Sequence, residues 1–91
     1  MEFITWDHAK NDKLKRERGI CFEDIVVRID SGNVLGFVEH PNKDKYPNQK
    51  IMIVNVDGYA YMVPFIISEE GIFLKTIIPS RKYTRKYLKG E

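Results

Sequence analysis

The centre of the chain, residues 50–67, has the sequence KIMIVNVDGYAYMVPFII. Asp57-Gly58 divides this stretch, and both residue types tolerate the positive φ angles of a type I′ turn. The pattern therefore predicts a β-hairpin with strands over residues 50–56 and 59–67. The first strand is apolar on both faces, which is typical of a central strand covered on both sides. Pro64 has no amide hydrogen, so it predicts an edge-facing stretch or a bulge in the second strand.

Shorter strand patterns flank the hairpin. Residues 34–39 predict a strand before it, residues 40–48 form a polar loop with two prolines, and residues 72–78 predict a strand after it. Pro79 ends that strand, and Ser80 is a good cap for a helix over residues 81–89. The chain has eleven isoleucines and seven valines against four leucines and two alanines, a composition that favours sheet.

Two helices are predicted before the sheet. Asp7 can cap a helix over residues 7–18, and Gly19 follows its basic last turn. Residues 22, 25, 26 and 29 are apolar at helical spacing, which predicts a second helix over residues 22–31. The predicted fold class is α+β: two N-terminal helices, a three- to four-stranded antiparallel meander and a C-terminal helix, in one domain over residues 1–91.

Composition excludes several classes of protein. With 91 residues, 43% of them apolar, and a net charge of +2, the chain predicts one small folded domain. The longest apolar run, residues 59–67, is too short to cross a membrane, and residues 1–20 lack a signal-peptide pattern. Cys21 is the only cysteine, and no metal-binding or nucleotide-binding motif is present. We therefore expect a cytoplasmic protein with no metal and no cofactor.

Basic residues are concentrated near both ends of the chain. Residues 10–18 carry five cations against two carboxylates, and residues 75–91 carry six against Glu91 alone. Such asymmetry attracts polyanions, nucleic acid among them, although solvated helix faces are the ordinary alternative.

The predicted C-terminal helix places cations against the local preference. Arg81 and Lys82 fall in its first turn, where the helix dipole disfavours positive charge. An anion bound there would make these cations favourable, because the backbone amides and the guanidinium would all donate hydrogen bonds to it. The candidate RNA-binding cations in and near this helix are Lys75, Lys82, Arg85 and Lys86.

Cleavage of RNA without a metal needs three groups. A base takes the 2′-hydroxyl proton, a cation stabilises the phosphorane, and an acid protonates the leaving oxygen. The candidates are Arg81, Lys50 and Lys75 for the cation, His40 or Glu39 for the base, and Tyr83 or Tyr46 as a weak acid or a stacking ring. Ordinary alternatives remain, since His40 precedes a proline in a loop and Lys75 fits an outward-facing strand position.

Two segments resemble the BrnT family of bacterial toxins, within the RelE/ParE-like superfamily. The first comprises Trp6-Asp7, Lys10, Gly19-Ile20 and Phe22-Glu23, and the second is the run IIPSRKYT at residues 77–84. The resemblance implies a RelE-like fold and the toxin of a type II toxin–antitoxin pair, which cleaves RNA and is neutralised by a cognate antitoxin. Arg81 and Lys82 match the family motif, and the resemblance makes Arg81 the first candidate for the active site.

Three functions are therefore open. The first is a metal-independent endoribonuclease toxin acting on mRNA. The second is a non-catalytic module of the same fold that binds nucleic acid or a protein. The third is contact with operator DNA as part of a complex with the antitoxin. Salt-dependent binding of nucleic acid would support any of the three, because contacts with phosphates release counterions, and only strand scission separates the first from the others.

Overall fold

The computed structural model describes residues 3–90. Glu91, which was counted in the C-terminal charge above, lies outside them. The elements in chain order are β1 (Ile4–Trp6), α1 (His8–Arg18), α2 (Phe22–Asp30), β2 (Val34–Glu39), β3 (Gln49–Val56), β4 (Tyr59–Ser68), β5 (Gly71–Leu74), β6 (Ile78–Pro79), α3 (Arg81–Tyr83) and a π-helix (Thr84–Leu88). No helix within the described residues is long and apolar enough to cross a membrane.

The strands form one six-stranded mixed sheet in the order β1-β5-β4-β3-β2, and β6 also pairs with β4. β1 runs parallel to β5, whereas the other pairs are antiparallel. The predicted α+β fold with a three- to four-stranded meander is therefore wrong: the fold is mixed α/β, and a helix follows the first strand. β1 has only three residues, too few to show an alternating pattern, and its partner lies near the other end of the chain.

The strand predicted over residues 72–78 is also interrupted. β5 ends at Leu74, and β6 begins only at Ile78. Pro64 of β4 lies between the two stretches that pair with β5 and β6, and it keeps its register opposite Ile51 without a bulge. Its carbonyl accepts from the Lys75 amide at 2.8 Å. Pro64 thus lies in an interior strand, beside the gap between β5 and β6, and the predicted bulge does not form.

The predicted hairpin turn and the predicted ends of α1 are confirmed, because one short motif determines each of them. Asp57 and Gly58 both have positive φ, at 54° and 87°, and join β3 to β4 as the predicted hairpin. Asp7 caps α1 by accepting from the Ala9 amide, and Gly19 closes that helix in the left-handed conformation. These residues fix where the elements begin and end.

Both faces of the sheet are covered. We call the side that packs on α1 and α2 the first face; its core includes Leu14, Phe22, Ile25, Val63 and Leu74. On the other side, the second face, the residues in contact are Ile51, Ile53, Ala60, Met62, Tyr83, Tyr87 and Leu88. The prediction that the strand over residues 50–56 is covered on both sides is confirmed.

The C-terminal segment, residues 81–88, covers the second face, but it is not the regular helix predicted over residues 81–89. A three-residue α-helix continues into a π-helix from Thr84 to Leu88. Ser80 caps its start, accepting from the Tyr83 amide at 3.1 Å. π-helical turns are rare and are often found at functional sites.

Candidate functional site

A groove opens on the second face beside the start of the C-terminal segment. It has a volume of about 440 Å³. Its lining residues are Glu39, His40, Pro41, Ile51, Met62, Pro64, Ile78, Ser80, Lys82 and Tyr83. The loop after β2 and the start of α3, far apart in the sequence, therefore face each other across an apolar floor made by β3, β4 and β6. Apolar walls with a few polar groups are usual in ligand sites.

His40 is held on one rim by its own loop. Its Nδ1 accepts from the Asn42 amide at 3.1 Å, and its ring lies 4.5 Å from the Tyr46 ring, centroid to centroid. Because Nδ1 accepts, the neutral ring carries its proton on Nε2. In this arrangement Nε2 can donate to a phosphate oxygen but cannot accept the 2′-hydroxyl proton.

Glu39, the other candidate base, is engaged as well. Lys43, four residues further along the chain, forms an ion pair with it. The hydrogen bond from Lys43, aided by its charge, lowers the pKa of the Glu39 carboxyl, and Lys50 adds a smaller effect. A lower pKa makes this carboxylate a weaker base, so neither candidate base is free in this conformation.

Buried hydrogen bonds fix the opposite rim. The Thr84 hydroxyl accepts from the Ala60 amide at 2.8 Å and donates to the Ser80 carbonyl at 2.7 Å. The Ser80 amide in turn donates to the Ala60 carbonyl at 2.9 Å. Ala60 is fully buried and Thr84 is 4% exposed. The position of Lys82 and Tyr83 at the groove therefore depends on this attachment to β4.

At its far end, the C-terminal segment packs against β2 through Tyr87. A Cβ added at Gly36 would lie 2.9 Å from the Tyr87 hydroxyl oxygen and 3.3 Å from Cζ of the same ring. The absence of a side chain at Gly36 thus allows Tyr87 to rest on the strand. The segment consequently crosses the sheet from β4, at Thr84, to β2, at Tyr87.

The outer side of this segment is uniformly positive. We call its exposed cations, together with the one that follows it, the cationic surface: Arg81, Lys82, Arg85, Lys86 and Lys89. No carboxylate of residues 3–90 forms an ion pair with any of them. Lys82 Nζ lies 5.4 Å from the centre of the Tyr83 ring, and Lys86 Nζ lies 5.5 Å from the Tyr87 ring. Interleaved cations and aromatic rings suit phosphates and unpaired bases.

The structure brings together only some of the predicted site residues. His40, Lys82 and Tyr83 line the groove, whereas Arg81 is exposed at the start of α3 and is not among the lining residues. Lys50 pairs with Phe65, whose side chain belongs to the first face, so Lys50 lies on the opposite side of the sheet. Glu39 is the partner of Lys50 in β2, so its side chain lies on that side too, although the residue borders the groove.

Three other predicted RNA-binding residues lie near the groove without lining it. Lys75 is exposed on the second face, with Nζ 5.5 Å from the centre of the Phe73 ring. Arg85 and Lys86 belong to the π-helix, one turn beyond the groove.

Sequence reasoning missed the roles of Thr84 and Gly36. Thr84 follows Ser80 by four residues, a spacing at which a hydroxyl can reach back to a helical carbonyl, and this was the available signal. The bond from Ala60 to Thr84 and the contact of Gly36 with Tyr87 join distant parts of the chain, so no local pattern contains them.

No group of three or more His, Cys, Asp or Glu side chains within residues 3–90 is arranged to hold a metal ion. Comparison of the chain with family models, with curated proteins and with solved structures finds no match.

Proposed function

We propose that this protein is the toxin of a bacterial type II toxin–antitoxin pair, a cytoplasmic endoribonuclease that binds mRNA along the cationic surface and cleaves it at the groove without a metal. The carrying observation is that His40, Lys82 and Tyr83 line one groove, beside a run of cations that have no ion-pair partner in residues 3–90. A cognate antitoxin neutralises the protein, and the complex of the two contacts operator DNA.

Each side chain has a role in the proposed reaction. Lys82 and Arg81 contact the phosphate and stabilise the negative charge that develops on it. Tyr83 offers its ring to a neighbouring base. His40 takes the 2′-hydroxyl proton once the Asn42 amide has released Nδ1, because the ring proton then moves to Nδ1 and Nε2 becomes the acceptor. The 2′-oxygen then attacks the phosphorus, and the bond from phosphorus to the 5′-oxygen breaks. The products are a 2′,3′-cyclic phosphate and a 5′-hydroxyl, whose oxygen takes a proton from water in the open groove.

A second candidate function is RNA binding without cleavage. Two contacts favour it: the hydrogen bond from the Asn42 amide to His40 and the ion pair between Lys43 and Glu39. Each one occupies a candidate base that cleavage would need. The two functions share the binding surface and differ only in the chemical step.

Expression in a bacterial host tests the proposal. We expect induction to arrest growth and to fragment cellular RNA, and Lys82→Ala to abolish both effects. Lys13→Ala is the matched control, since it removes the same charge from an exposed position on α1. Growth arrest by a folded Lys82→Ala protein equal to that by the wild type would contradict the assignment of the groove.

Purified protein separates the two functions. Single-stranded RNA and its 2′-O-methyl analogue should bind equally well, and only the unmodified RNA should yield fragments ending in a 2′,3′-cyclic phosphate. Binding of both with cleavage of neither, at neutral pH and with wild-type protein, would leave RNA binding as the function.

A further inference from the structure

The sheet has a free edge at β2, which is six residues long, whereas the opposite edge strand, β1, has three. No strand within residues 3–90 pairs with the outer side of β2. An exposed edge of this length presents unpaired main-chain donors and acceptors, which an added strand can satisfy.

The direction of these main-chain groups follows from the ladder. The Asn55 amide donates to the Asn33 carbonyl at 2.9 Å, so the main chain of Asn55 faces β2. Peptide groups alternate along a strand, so Ile51 faces β2 as well, and its partner Val38 faces β3. Phe37, the preceding residue, therefore presents its N–H and C=O groups to the outside.

The side chain of Phe37 adds an apolar contact on the first face of this edge. It is 62% exposed, although it packs edge-on against the buried Phe65 ring, with the centroids 6.0 Å apart. A strand added beside β2 would place its own first-face side chains next to this ring.

The second face of the same edge is positive. Tyr87 lies over Gly36 of β2, the exposed Lys86 precedes it in the C-terminal segment, and the exposed Lys89 follows that segment directly. Neither lysine forms an ion pair with a carboxylate in the part of the chain that the structure describes. Side chains of an added strand on this face would therefore meet cations.

We infer that β2 is a docking edge for an extended segment of a partner protein in which acidic and apolar residues alternate. The apolar residues pack on Phe37, the acidic residues face Lys86 and Lys89, and the main chain pairs with β2. Under the proposed function this partner is the antitoxin, so the inference rests on that function for the partner's identity. RNA cleavage and peptide binding are measured separately, and the failure of one is distinguishable from the failure of the other.

A synthetic peptide tests the docking edge. The probe is a fluorescently labelled (Val-Glu)5 peptide, with (Val-Lys)5 and a (Val-Glu)5 peptide methylated at alternate amide nitrogens as controls. We expect the full-length protein to bind the first peptide at least about tenfold more tightly than either control. Equal binding of (Val-Lys)5 would overturn the charge argument, and equal binding of the methylated peptide would overturn strand pairing.

Variants locate the binding on the protein. Phe37→Pro removes the outward N–H from an edge position, where proline is tolerated, and should weaken binding of (Val-Glu)5 about tenfold. Lys86→Glu should do the same, while Lys13→Glu, the matched control on α1, should leave binding unchanged. If wild-type protein instead dimerises at the concentrations used and Phe37→Pro makes it monomeric, the occupant is a second copy and the inference fails. The peptide controls keep the test valid should Phe37→Pro unfold.

Discussion

Replacing Thr84 by valine removes a hydroxyl that holds the C-terminal segment on the sheet, while the shape of the side chain is nearly kept. The buried Ala60 amide loses its acceptor, and the Ser80 carbonyl loses a donor. An unsatisfied buried amide costs about 1–3 kcal/mol. At roughly 4–8 °C per kcal/mol for a domain of this size, a loss of about 2 kcal/mol lowers Tm by roughly 8–16 °C.

Thr84→Ser is the matched variant, because it keeps both hydrogen bonds and removes one buried methyl group. We expect it to cost about 0.8 kcal/mol, the value for one buried carbon. Calorimetry and urea titration should therefore rank wild type above Thr84→Ser and Thr84→Ser above Thr84→Val. Well below its Tm, Thr84→Val should also bind single-stranded RNA several-fold more weakly. Stability of Thr84→Val equal to or above that of Thr84→Ser would refute the reasoning.

Three further predictions concern other contacts. Asn11→Ala should lower the free energy of unfolding by about 1–3 kcal/mol in urea titration, because the buried Phe22 amide loses its acceptor at 2.7 Å; an unchanged midpoint would contradict this. Gly36→Ala should destabilise the wild type more than it destabilises Tyr87→Phe, which lacks the hydroxyl that the new Cβ would meet; equal losses would exclude the clash. The hydrogen bond from Asn11, followed by smaller effects that include the charge of Lys15, lowers the pKa of the Glu23 carboxyl below its ordinary value of 4.5. The ionised Glu23 carboxylate therefore stabilises the folded protein at pH values above 4.5, and this contribution is lost as pH falls through the pKa of the folded state. The stability advantage of wild type over Glu23→Gln should accordingly disappear at acidic pH, and an advantage that grows there would show the opposite sign.

Sequence patterns located the elements whose conformation depends on near neighbours. The cap at Asp7, the left-handed Gly19 and the turn at Asp57-Gly58 each depend on the properties of one or two residues, and all three were predicted. The six-stranded sheet was not, because the pairing of β1 with β5 joins the two ends of the chain and leaves no periodic signal in three residues.

The residues of the candidate site were also predicted only in part, because their positions depend on contacts between distant parts of the chain. Residue chemistry selected His40, Lys82 and Tyr83, which line the same groove from its two rims. It also selected Lys50, which the alternation of β3 places on the other face, because the sequence alone does not show which face of the sheet holds the groove. The engagement of His40 Nδ1 by Asn42 depends on a local loop conformation that composition does not determine.

The central claim is that the groove and the cationic surface bind RNA phosphates, and the salt dependence of RNA binding tests it most directly. Dissociation constants for a labelled single-stranded RNA are measured over a range of salt concentrations for wild type, Lys82→Ala and Lys13→Ala. Each phosphate contact to a single strand contributes about 0.7 to the slope of log K against log salt. We predict that Lys82→Ala weakens binding and reduces the slope by about 0.7, with no change for Lys13→Ala. Equal slopes and affinities for all three proteins would contradict the account.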